Sequence, residues 1–134
     1  YQKGLSNKSI ADILSNLPRA MVVADSAEPK SIDEIYNYGI NIIGVVKGKD
    51  SVSQGIQYVQ QQRISLTARS VKTRTAYLNY KWATDKEGKT LNEPDDTVHE
   101  WSNPMDAIRY GFDALRPKKK ERKHREVKRL KLHV

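Results

Sequence analysis

Met21-Val22-Val23-Ala24-Asp25-Ser26-Ala27-Glu28-Pro29-Lys30 is an apolar run that stops on a carboxylate and restarts as a helix. Its unbroken apolar start, Met21 to Ala24, reads as a short strand buried on both faces. Pro29 suits the first helical position, where an N–H would have no partner in any case. Ile32, Ile35 and Tyr36 fall on the inner face of that helix, and Gly39 serves as its C-terminal cap. The following run, Ile40 to Val46, is rich in β-branched residues and reads as a second strand. Strand, helix, strand in this order implies parallel pairing through a right-handed crossover. The fold class is therefore α/β, a sheet with parallel strands flanked by helices.

The flanking segments extend this unit in both directions. Ser6 or Asn7 caps a helix carrying Ile10, Ile13, Leu14 and Leu17, which Pro18 ends. Asp50 caps a third helix through about Arg63, with Val52, Ile56 and Val59 on one face, and Ile64 to Thr67 reads as another short strand. Between Arg69 and Leu91 the pattern weakens. There Ala76, Leu78, Tyr80 and Trp82 alternate as in a strand, and Asp85-Lys86-Glu87-Gly88 reads as the turn of a hairpin. Asn92 to Ser102 is a polar loop. Asn103-Pro104 begins the last core helix, with Met105, Ile108, Phe112 and Leu115 turned inward until Pro117.

With 134 residues the chain has one domain's worth of sequence. It is 37% hydrophobic and 30% charged, the balance of a soluble protein. No stretch approaches the roughly 18 apolar residues of a membrane span, so no membrane is expected. It opens Tyr1-Gln2-Lys3-Gly4, without an initiator Met or a signal peptide, and reads as a piece of something longer. The absence of cysteine excludes disulfides, thiolate zinc sites and thiol catalysis, and fits an intracellular origin. The net charge of +8 has one location: Arg116 to Val134 holds ten Lys/Arg and two Glu, while residues 1–115 are balanced at fourteen and fourteen. The expected organisation is a neutral folded part, 1–115, and a basic C-terminal tail, 116–134.

Asp25 stands at the carboxyl end of the first strand, where the functional crevice of an open α/β sheet lies. Asp106, 81 residues further on, falls in the first turn of the last helix as read from Asn103. If that helix packs over the Met21 strand, the two carboxylates converge. Hard oxygen ligands suit Mg²⁺ or Mn²⁺ rather than zinc. Two such ions about 4 Å apart can activate water and stabilise the leaving oxygen in phosphodiester cleavage. Structural readings compete with this one. Asp106, three residues after Asn103, resembles a capping box and complements the helix dipole. Asp25 can simply open a strand-to-helix turn.

Three blocks bear on the choice. Val23-Ala24-Asp25-Ser26-Ala27-Glu28-Pro29-Lys30-Ser31-Ile32, then Lys47-Gly48-Lys49-Asp50-Ser51, then Asn103-Pro104-Met105-Asp106-Ala107-Ile108-Arg109-Tyr110 together resemble the C-terminal nuclease domain of the large terminase subunit of tailed bacteriophages. The likeness runs from about Asn7 to Leu115. It implies a ribonuclease H-like fold with a central mixed sheet, the N-terminal strands of which this chain lacks. It also implies an endonuclease that cuts concatemeric viral double-stranded DNA during packaging into the procapsid, with Mg²⁺ or Mn²⁺ as cofactor, as a pair in the complete domain. The family uses an acidic triad: Asp25 matches its second member and Asp106 its third, both as catalytic metal ligands. The first belongs to an earlier strand outside this chain. Implied partners are the portal and the small terminase subunit, in the host cytoplasm. The family commonly has histidine where this chain has Asn103, a poor substitute for imidazole. His99 nearby is a lone loop histidine, more often solvated than functional.

Other signals are weaker. Gly44 to Ser51 superficially suggests a phosphate loop, but only three residues separate its glycines and Asp50 follows Lys49, so nucleotide binding is rejected. Lys47 and Lys49 stand at the crevice edge as candidate DNA-phosphate contacts, against the reading of ordinary solvated lysines. The tail residues Lys118, Lys119, Lys120, Arg122 and Lys123 attract nucleic acid without sequence preference, or form a solvated end. Val127 and Leu130 give the last part a thin apolar face. Trp82, Trp101 and the tyrosines read as core and rim. The leading function is the metal-dependent endonuclease. The alternative is a non-catalytic DNA-binding or assembly module retaining the fold. A small-molecule enzyme ranks last for want of a nucleophile, a base or a glycine-rich loop.

Overall fold

The computed structural model describes residues 3–48 and 50–117. Lys49 and the tail residues Lys118, Lys119, Lys120, Arg122 and Lys123 therefore lie outside the described residues, as do Val127 and Leu130. The elements are α1 (Asn7–Ser15), β1 (Val22–Ala24), α2 (Pro29–Asn37), β2 (Ile42–Gly44), α3 (Ser51–Gln60), α4 (Val71–Asn79), β3 (Trp82–Thr84), β4 (Thr90–Pro94) and α5 (His99–Leu115).

β1 and β2 pair in parallel, Val22 opposite Ile42 and Ala24 opposite Gly44. Side chains alternate across this sheet. Val22 and Ala24 face α1 and α2, where Ala11, Ile35 and Ile42 form the buried centre with Ile10, Leu14 and Ile32 around it. Met21 and Val23 face the other way and line a shallow cavity with Ile108, Phe112 and Leu115 of α5. Helices thus flank the parallel pair, as expected. β3 and β4 form a separate antiparallel ladder.

The caps follow local chemistry. The Ser6 hydroxyl accepts from the Ser9 N–H at 3.1 Å and starts α1. Gly39, at φ +90°, takes the left-handed position just past the end of α2. Asp50 precedes α3 in a left-handed conformation, φ 59°, and makes no side-chain cap bond, contrary to expectation.

Four further expectations are corrected. β1 is half-buried rather than fully buried, and Tyr36, Ile13, Leu17 and Leu115, assigned to inner faces, are exposed. Ile64 to Thr67 is not a strand: it belongs to no ladder among the described residues. The alternation from Ala76 to Tyr80 misleads because it belongs to α4. That helix turns only the small Ala76 into the molecule, against α5, while Tyr77 and Leu78 point to solvent. With one buried residue it has no 3.6-residue stripe to read. The hairpin starts later, at Trp82, and its turn is the expected one: Asp85 Oδ1 accepts from the N–H groups of Glu87 at 3.0 Å and Lys89 at 2.8 Å.

The fourth correction reaches the site. α5 starts at His99, where the Val98 carbonyl accepts from the N–H groups of Trp101 at 3.0 Å and Ser102 at 3.1 Å. Pro104 lies inside the helix, so Asn103 is not its cap and Asp106 is not in its first turn. At the far end, Arg116 fastens α5 to α3. Its guanidinium donates to the Gln54 carbonyl at 2.8 Å and lies 4.5 Å from the Tyr58 ring centre. Arg116→Ala should lower stability by about 2 kcal/mol in urea unfolding, the low end of the sum expected of a charged hydrogen bond and a partly exposed cation–π contact.

Candidate functional site

Asp25 follows β1 directly, and the ladder continues one step beyond β2 because the Val45 N–H donates to the Ala24 carbonyl at 2.8 Å. Parallel strands end on the same side, so Asp25 and Lys47 leave the sheet together. Gly44 permits the close approach: a Cβ there would lie 3.2 Å from both Ser26 Cβ and Ile32 Cδ1. Asp25 Oδ1 accepts from the Ala27 N–H at 3.0 Å and pairs with Lys47 Nζ at 2.5 Å. Its Oδ2 accepts from the Tyr110 hydroxyl at 3.2 Å. One oxygen serves the turn, as that reading expects, while the other meets the Tyr110 hydroxyl of α5. Lys47 holds the Asp25 carboxyl below its ordinary value, helped by Ala27 and Tyr110 and opposed by burial.

Asp106 lies in the body of α5, which removes the capping-box reading of that residue. Its Oδ1 accepts from an Arg109 terminal nitrogen at 2.7 Å. The Arg109 side chain is 8% exposed against 26% for Asp106. Burial works against the Arg109 charge, but the bond to Asp106 and its field outweigh it, so the guanidinium pKa is raised. Arg109 reaches this position by running along Gly55 of α3, where a Cβ would stand 2.8 Å from its Cδ and 2.9 Å from its Cγ. Its guanidinium also lies 4.7 Å from the Tyr110 ring centre.

Tyr110 links α5 to Asp25. It sits one helical turn beyond Asp106, on the same face of α5, and reaches Asp25 on the sheet. Burial raises its hydroxyl pKa, and the fields of Asp106 and Asp25 add to the effect. Tyr80 borders the same charges. Its hydroxyl is buried without a hydrogen-bond partner among the described residues, and burial followed by Asp106 and Asp96 raises its pKa. Burial and Asp106 likewise raise the Asp96 carboxyl, with Arg109 and His99 opposing.

Asp25 and Asp106 each hold a basic side chain, Lys47 and Arg109, and Tyr110 reaches Asp25 from one helical turn beyond Asp106. Lys47 is found on Asp25. His99 is the first residue of α5, beside the charge of Asp96, and Asn103 is exposed on the same helix. No group of three or more His, Asp or Glu able to hold a metal ion forms among the described residues. Sequence reasoning assigned no role to Arg109, Tyr110 or Gly55. The spacing of three and four residues from Asp106 to Arg109 and Tyr110 was the available signal, as was a glycine inside a helix.

A model of the terminase RNase H-like domain matches residues 1–114. The chain belongs to this family. The terminase domain is 31% identical over 115 residues to the large terminase subunit of Bacillus phage SPP1, covering 81% of this chain and 26% of that subunit. Its structure superposes on the crystal structure of the g2p (large terminase) nuclease domain from bacteriophage SPP1 with bound Mn. The TM-score is 0.72 at 30% identity, over 84% of this chain and 65% of that one. The ribonuclease H-like fold follows from this match. The chain spans about a quarter of the length of the SPP1 subunit. No helix among the described residues is long and apolar enough to cross a membrane.

Proposed function

We propose that this chain is the metal-binding part of an endonuclease acting on double-stranded viral DNA during genome packaging, with Asp25 and Asp106 as metal ligands. One observation carries the proposal: the Asp25 carboxylate at a strand end accepts from Tyr110, one helical turn beyond Asp106 on α5, in a fold that matches a Mn-bound terminase nuclease domain. The donor chemistry fits Mg²⁺ or Mn²⁺, since both groups are hard oxygen ligands and no cysteine is present. Two carboxylates make a partial set. When bound, the metal supplies an activated water and charge stabilisation at the leaving oxygen. The protein's own residues do the rest. Arg109 fixes the Asp106 carboxylate from the buried side. Tyr110 fixes one oxygen of Asp25 and the Ala27 N–H orients the other.

The substrate is concatemeric DNA cut as the procapsid fills, the partners are the portal and the small terminase subunit, and the setting is the host cytoplasm. Residues 1–115 form the domain, with the basic segment from residue 116 onward adding non-specific affinity for DNA. A second reading, a DNA-binding or assembly module without chemistry, is favoured by the pairing of both carboxylates with basic side chains.

Plasmid nicking separates the two. The full-length subunit with Mn²⁺ should convert supercoiled to open-circular DNA, since two carboxylates alone make a partial ligand set, and Asp25→Asn and Asp106→Asn in that subunit should each abolish conversion while still retarding the plasmid in a gel. Retardation by all three proteins, with no conversion by any, establishes the module instead.

A further inference from the structure

The two carboxylates are paired very differently. Arg109 is 8% exposed and is wedged along Gly55, so it has no room to leave Asp106. Lys47 is half-exposed, as is Asp25, and follows the end of β2 on a flexible four-carbon stem. Its ammonium occupies Oδ1 of Asp25, while Oδ2 is held by Tyr110. A divalent ion taking Asp25 as ligand competes with that ammonium for the same carboxylate. Ion pairs at this exposure are worth little, so the exchange is accessible. Once displaced, a positively charged side chain remains at the carboxyl end of the sheet, beside the bound cation. The group that suits it there is an anion delivered by the substrate, a backbone phosphate.

We propose that Lys47 is a positioning residue that exchanges between two anions: the Asp25 carboxylate in the metal-free state and a DNA phosphate once a divalent ion holds Asp25. The inference rests on the metal-ligand role of Asp25 proposed above. It makes metal and DNA binding mutually reinforcing, because the ion frees the side chain that grips DNA. By linkage, DNA then favours the ion by the same factor. Arg109 does not take part, since its bond to Asp106 is structural.

The test needs no turnover. Mn²⁺ affinity is measured without DNA, from the free-ion signal in electron paramagnetic resonance, for the intact protein and for Lys47→Met and Asp25→Asn. Duplex affinity is measured by fluorescence anisotropy with and without Ca²⁺, which takes the same oxygen ligands. Lys47→Met should bind Mn²⁺ about threefold more tightly, the scale of a half-exposed ion pair. It should also lose most of the gain in DNA affinity that Ca²⁺ gives the unaltered protein. If Lys47→Met leaves Mn²⁺ affinity unchanged or weakens it, while Asp25→Asn abolishes binding, the exchange is wrong and the metal site stands. If Lys47→Met weakens DNA binding equally with and without Ca²⁺, Lys47 is an ordinary phosphate contact and the exchange is again wrong. If Asp25→Asn binds Mn²⁺ as before, the ligand assignment itself fails and takes the exchange with it.

Discussion

Arg109→Ala is expected to lower the unfolding free energy by about 3 kcal/mol, a low-end value for breaking a buried ion pair. The guanidinium is nearly inaccessible, and its removal leaves Asp106, only 26% exposed, with a charge that neither water nor a neighbour fully compensates. The Tyr110 ring loses its cation at 4.7 Å, and the space beside Gly55 loses the aliphatic stem that fills it. Asp106 keeps some solvent contact, which is why the loss should not reach the upper end of the range. Urea unfolding measures it as a lower midpoint with an unchanged slope. Arg109→Lys should fall between, keeping the charge but losing the planar fork. A loss below about 1 kcal/mol for the alanine variant would place Arg109 among surface pairs and remove its structural role.

This residue also shows where sequence reasoning reached its limit. The place of Asp25 between β1 and α2 was legible because an apolar run that stops on a carboxylate before a proline-started helix marks a strand-to-helix junction. The β1, α2, β2 unit was legible for the same reason: its apolar residues recur with the period of the element they form. Asp106 was placed on the last helix, yet its setting there was misread. The segment before it is polar and lacks apolar periodicity, and Asn103-Pro104 looks like a helix start. The turn from His99 to Ser102 forms all the same, held by the Val98 carbonyl and by packing that buries Ser102. α4 failed differently, since one buried alanine is enough to seat a helix on α5 and leaves no stripe in the sequence. Arg109 was missed because arginine is usually exposed. Only the tertiary contact with Gly55, on another helix, shows that it is enclosed.

That contact leads to the second large effect, in which one substitution has opposite signs at two helical glycines. Gly55 and Gly111 both lie inside helices, so alanine at either gains about 1 kcal/mol in helix propensity. At Gly111 a Cβ meets nothing within 4 Å, and Gly111→Ala should stabilise by roughly that amount. At Gly55 the added carbon stands 2.8 Å and 2.9 Å from the middle of the Arg109 side chain and 3.1 Å from an Asp113 carboxylate oxygen. Those contacts are with the stem of an enclosed side chain, which cannot swing aside without releasing Asp106. Overpacking of this kind costs up to about 3 kcal/mol, which exceeds the propensity gain, so Gly55→Ala should destabilise by about 2 kcal/mol. Thermal unfolding of both variants checks the signs directly. In the Arg109→Ala background the steric loss should disappear, because the clashing stem is gone, leaving Gly55→Ala neutral or stabilising. If Gly55→Ala destabilises equally in both backgrounds, the close approach of α3 to Arg109 is not what holds Asp106 in place.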